Sequence, residues 1–173
     1  MSQLQITFPD GSKRPFASGV TGRQIAESIS PRLAKEAIAA KVDGVVRDLS
    51  YPVTSDASVE LLTFEQPKGK EVFWHSSSHI MAQAVQELFP GVKLAIGPPI
   101  DEGWYYDFEV EKPFSPEDLD RIEKRMAEII AEDATFRCEV KKRAESISYY
   151  QSKDATYKVE LLEGIEDDTV TFY

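Results

Sequence analysis

"EVFWHSSSHIMAQAVQELFP", residues 71–90, contains both histidines of the chain, His75 and His79, four positions apart. Its apolar residues recur at helical spacing. With roughly 100° per residue and His75 placed at roughly 0°, His79 falls near 40°, Gln86 near 20° and Gln83 near 80°. Ile80, Ala84, Leu88, Met81 and Val85 occupy the arc from roughly 140° to 280°. The stretch therefore predicts a helix over 74–89 whose histidines face away from the packed side. Two readings stay open on spacing alone: a solvated polar face, or a pair of imidazoles converging on one small ligand, since residues i and i+4 project side by side. A zinc-protease helix is disfavoured, because Ser76 stands where that motif needs Glu. A complete zinc site needs three or four ligands, and the single cysteine, Cys138, has no histidine after it. Cys138 itself reads as a thiol buried in a strand.

Upstream of this helix the periodicity is different. "LQITF" alternates, "PDG" turns, and "SKRPF" returns as the second arm of a hairpin. "TGRQIAESI" carries a capping box, Thr21 with Gln24 three residues on, and sets Ile25 and Ile29 on one face. "SPRLAKE" reads as a connector, "AIAAKV" and "VVRDL" as strands about an Asp43-Gly44 turn, and "ASVELLTF" as the last strand. The order β-β-α-β-β, with one further short strand or turn, describes a β-grasp-like sheet on one helix over residues 1–64. "EQPKGKE", residues 65–71, has the Pro, Gly and charges of a linker.

Downstream, over 72–173, "KLAIGPPI" and "WYYDFEV" read as paired strands across residues 101–103. A helix follows, with Ser115 as cap, Pro116 at its first position and acids in its first turn. Leu119, Ile122, Met126, Ile129 and Ile130 form its expected buried stripe. "TFRCEV" is an expected strand, "RAESISYYQ" and "ATYKVELLEGI" are short helices, and "TVTFY" is a strand with no partner after it. That ending points to truncation. The fold class is α+β in two modules.

The 173 residues are 42% hydrophobic and 29% charged, as in ordinary globular domains. No apolar run approaches the length of a membrane span, no signal-peptide core opens the chain, and one cysteine fits a reducing, cytoplasmic setting. The net charge of −10 arises wholly after residue 64, where 13 basic residues meet 23 acidic ones. Such a surface repels phosphate backbones, so nucleic-acid contact has to be local. The basic run Lys141-Lys142-Arg143 reads as a solvated helix start or as a local phosphate contact.

The combination of "HSSSHIMAQAVQELFPGVKLAIGPPIDEGWYYDF" with "SYYQSKDATYKVELL" resembles the N-terminal region of bacterial-type threonyl-tRNA synthetases. "ITFPDGS" and "KVDGVVRDL" resemble the TGS domain that opens them. The resemblance covers essentially the whole chain. Alanyl-tRNA synthetases have a related H-x-x-x-H module but do not begin with a TGS domain. The resemblance implies a TGS domain followed by an incomplete α+β editing domain, cut before the family's C-x-x-x-H segment. It implies hydrolysis of mischarged seryl-tRNA(Thr), in a parent enzyme that charges tRNA(Thr) with threonine. It assigns His75 to orienting or deprotonating water, and His79 to the substrate amino group or terminal ribose. Lys158 is assigned to oxyanion charge or water, and Tyr106 to the neighbourhood of the aminoacyl group. Without the resemblance, Lys158 reads as a solvated helix residue and Tyr106 as packing beside Trp104 and Phe108. The Gly97-Pro98-Pro99 segment reads as a rigid turn, which the family sets beside the ester pocket. The resemblance implies no cofactor in this region; ATP, magnesium and zinc belong to the parent's other domains. It implies tRNA and those domains as partners, a parent homodimer, and no membrane. The alternative is a non-catalytic TGS module that binds RNA or a nucleotide.

Overall fold

The computed structural model describes residues 3–172. The chain divides into two compact units, Met1–Phe73 and Trp74–Tyr173.

In the first unit the elements are β1 (Gln3–Thr7), β2 (Lys13–Ala17), β3 (Val20–Thr21), α1 (Gly22–Ile29), α2 (Pro31–Glu36), β4 (Ala39–Val42), β5 (Val45–Arg47), β6 (Pro52–Val53) and β7 (Ala57–Leu62). Five strands form a mixed sheet in the order β2-β1-β7-β4-β5, with β3 and β6 as a separate ladder. The last strand of the unit lies at the centre of the sheet, parallel to β1 and antiparallel to β4. The β1–β2 hairpin forms as the alternation predicts. Asp43 and Gly44 both have positive φ (48° and 85°), as a two-residue primed hairpin turn requires. The capping box on α1 is complete: Thr21 and Gln24 each bond the other's backbone N–H. Leu4, Ile6, Ile25, Ala40, Val53 and Val59 make the core. A buried Ile or Val side chain contributes about 1.5–3 kcal/mol.

One expectation in this unit fails. "SPRLAKE" is not a bare connector: Ser30 caps Leu33 N–H, and Pro31 opens the short helix α2. Ile25 and Ile29 lie four positions apart on α1, but only Ile25 is in the core; Ile29, the last residue of the helix, is exposed.

The helix α3 runs over Pro67–Leu88, so the segment 65–71 is not a linker. Gln66 Oε1 accepts from both the N–H and the hydroxyl of Thr63, and Pro67 sits at the first turn, where its missing N–H costs nothing. Gly69 is needed for close approach: a Cβ there would overlap the Thr63 carbonyl. The boundary between the two units falls inside this helix.

In the second unit α3 is followed by β8 (Lys93–Leu94), β9 (Pro99–Ile100), β10 (Gly103–Trp104), β11 (Phe108–Glu109), α4 (Pro116–Ala131), β12 (Glu139–Lys142), α5 (Arg143–Ser152), α6 (Thr156–Glu163) and β13 (Thr169–Phe172). Ala84 and Val85 of α3 are fully buried against Ile122 and Ile129 of α4, with Ile80, Met81, Leu88 and Met126 at the margin. The α4 stripe is narrower than its spacing predicts, since Leu119 and Ile130 on one flank are exposed. Arg125 of α4 reaches Glu87 of α3 at 2.6 Å and also holds Glu128 and Glu132.

The expected hairpin of 93–109 forms in two pieces, β8 with β11 and β9 with β10. Bonds between Ala95 and Asp107 and between Asp107 and Ile96 continue the first piece inward. "TVTFY" is not a strand without a partner: β13 pairs antiparallel with β12, earlier in the chain, from Glu139↔Phe172 to Lys142↔Thr169. Tyr173 lies outside the described residues. Cys138 is neither buried nor in a strand; it is exposed, one residue beyond the end of that ladder.

Candidate functional site

The site belongs to the second unit and begins on α3. His75 and His79 stand one turn apart on its exposed face, their rings stacked with centroids 4.8 Å apart at 26°. Between them in sequence, but near the edge of the buried arc at roughly 300°, Ser78 is 1% exposed. Its hydroxyl oxygen lies 2.8 Å from the His75 carbonyl and 3.1 Å from the Gly97 carbonyl.

Gly97 begins the gap between the two pieces of the broken hairpin. Its backbone is covered by the ring of Tyr106, so closely that a Cβ would collide with the ring carbons. Tyr106 stacks on Phe108 at 4.9 Å and 21°, as their shared strand parity predicts. Its hydroxyl accepts a hydrogen bond from Lys158 Nζ at 3.1 Å, and the same ammonium stands 5.5 Å from its ring centroid. Lys158 is held there by α6, half-buried rather than fully solvated. Tyr157 on the same helix donates to Glu109 of β11, and so anchors α6 against the hairpin.

Electrostatics connect the two halves. Burial lowers the His79 pKa below the ordinary imidazole value, and the neighbouring His75 and Lys158 push it further the same way. Although His79 is an exposed residue overall, the protein packed around its ring disfavours the charged form. The lowered pKa favours the neutral imidazole, which can accept a hydrogen bond. Lys158 Nζ is a donor, already directed at the Tyr106 hydroxyl. The arrangement can hold an ammonium or hydroxyl against His79, orient a water at His75, and present positive charge to a developing oxyanion.

The structure thus brings His75, His79, Tyr106 and Lys158 into one region. Sequence reasoning missed Ser78, although its angle beside Val85 on the helix was a usable signal. Lys141 and Lys142 are exposed and pair with Glu139 and Glu145, as in the solvated reading, whereas Arg143 is partly buried with its Nε shielded from solvent. Among the described residues, no group of three or more His, Cys, Asp or Glu is placed to hold a metal ion, and no helix is long and apolar enough to cross a membrane.

In the β-grasp-like unit, residues 4–63 match the TGS domain. Almost all of the chain also matches the N-terminal region of bacterial threonine–tRNA ligases. It is 48% identical over 167 residues to the threonine–tRNA ligase of Desulforamulus reducens, covering 96% of this chain and 26% of the relative. It is 51% identical over 162 residues to that of Rhodospirillum rubrum, covering 94% and 25%. For Caldanaerobacter subterraneus the identity is 48% over 171 residues, covering 98% and 27%. The chain spans about a quarter of the length of the curated relatives it matches.

Proposed function

We propose that this chain is the N-terminal region of a threonine–tRNA ligase and serves its proofreading, by hydrolysing the ester of seryl-tRNA(Thr). The parent enzyme charges tRNA(Thr) with threonine using ATP in its other domains. Those domains and the 3′ end of the tRNA are the partners of this region. The ATP, magnesium and zinc of the charging reaction are assigned to the rest of the ligase, and no step here runs through them.

The need for a second site is physical. Serine is threonine less one methyl, and a pocket discriminates a missing methyl by only about 1–3 kcal/mol. The observation that supports the reading is the convergence of a stacked imidazole pair with an ammonium held on a tyrosine hydroxyl. His79, neutral, accepts from the substrate's amino group or the terminal ribose. His75 orients the attacking water, takes its proton as the new C–O bond forms, and returns it to the ribose oxygen as the ester C–O bond breaks. Lys158 faces the oxyanion as the carbonyl becomes tetrahedral, with Tyr106 fixing the ammonium in place.

The test uses the full-length ligase. His75→Ala leaves threonine charging within about twofold, while deacylation of seryl-tRNA(Thr) falls by roughly 10²-fold or more, and mischarged product accumulates. Unchanged deacylation in that variant would remove His75 from the chemistry, and with it this reading.

A further inference from the structure

Among the described residues, Ser78 and Ser146 are the buried polar side chains. Ser146 bonds Lys142, four residues back at the start of its own helix. Ser78 differs, because its second contact crosses to another element. The oxygen at 3.1 Å is the Gly97 carbonyl, nineteen residues away in sequence. Gly97 is also the residue on whose bare backbone the Tyr106 ring lies, and Tyr106 holds Lys158. A continuous set of contacts therefore runs from the histidine turn through Ser78, Gly97 and Tyr106 to the ammonium.

We propose that Ser78 is a positioning residue, which sets the imidazole pair at a fixed distance from the Tyr106–Lys158 arm by tying α3 to the Gly97 carbonyl. The hydroxyl touches no reacting atom. It acts because the buried Ser78 hydroxyl shares its single proton between the His75 and Gly97 carbonyls. A partly buried carbonyl that loses its donor is costly to leave unpaired, so the 97–106 segment is held in one place against α3. Removing the hydroxyl frees Gly97 to move toward water, and Tyr106 and Lys158 move with it. The catalytic consequence rests on the proofreading reading; the coupling itself does not.

The coupling is read on His79, whose imidazole is faced by His75 and Lys158. NMR titration of the histidine rings follows the 173-residue chain as wild type, Ser78→Ala, Tyr106→Phe and the double variant. Ser78→Ala raises the His79 midpoint toward the ordinary imidazole value, because water enters and the Lys158 charge recedes. Tyr106→Phe raises it too, and the double variant moves it no further than the larger single change, as expected for one shared path. A folded Ser78→Ala with the wild-type midpoint, or additive shifts in the double variant, overturns the proposal. If Ser78→Ala does not fold, Ser78→Cys, similar in size but a weak donor, is read by the same criteria.

In the full-length ligase, Ser78→Ala lowers the kcat of seryl-tRNA(Thr) deacylation by roughly tenfold or more with KM little changed, as misplacement of a reacting group does. Loss of the NMR coupling sinks the positioning role whatever the deacylation rate. Coupling present, with deacylation unaffected by both His75→Ala and Ser78→Ala, sinks proofreading and leaves the geometric claim standing.

Discussion

His79 shows how one ring carries information about its surroundings. Its folded pKa lies below the ordinary value, first through burial and then through His75 and Lys158. The unfolded chain therefore takes up a proton at higher pH than the folded one does. Stability from this group is fully present above the ordinary imidazole pKa and is lost as pH falls through it toward the folded value. Urea midpoints measured from pH 7.5 downward through that window should fall, and His79→Gln should remove this part of the slope. An unchanged pH profile in His79→Gln would mean that the ring is not desolvated. The pairing of His75 with His79 was legible in the sequence, since four positions on a helix bring two rings together whatever surrounds them. The company of Lys158 was not, since its meeting with Tyr106 spans 52 positions.

Elements in this chain obey local signals where those are complete. The caps at Thr21 and Ser115 both form as reciprocal boxes, and both were readable from four consecutive residues. Composition misled at 65–71, where Pro and Gly suggested a linker although Pro67 starts a helix and Gly69 lies within it. Gly69→Ala provides a test with a definite sign. In an open helix that change stabilises by about 0.5–1 kcal/mol. Here the added methyl meets the Thr63 carbonyl, and the expected result is destabilisation by about 1–3 kcal/mol, read as a lower thermal midpoint. A raised midpoint would show that the start of α3 does not need this close approach. The α4 stripe makes a similar point: spacing puts Leu119 and Ile130 on the flank of the apolar face, yet only Ile122 and Ile129 are buried.

For the whole molecule, the decisive quantities are charge and the inventory of reactive groups. The 173 residues contain two histidines, one cysteine and no Cys-x-x-x-His sequence, and they carry a net charge of −10. The acidic surface predicts weak tRNA binding, with Kd above about 1 μM at physiological salt; submicromolar binding measured by filter retention would contradict it.

Sequence by itself determined the change of periodicity between the two modules, the capped helix starts, the Asp43-Gly44 turn and the outward face of the histidine pair. All of these depend on residues a few positions apart, where backbone geometry alone says who meets whom. Tertiary structure decided the rest. It gave β13 its partner in β12, left Cys138 and Ile29 in solvent, and laid Tyr106 on Gly97 with Ser78 behind it. Those outcomes turn on which distant surfaces exclude water from each other, and a one-dimensional pattern does not contain that competition.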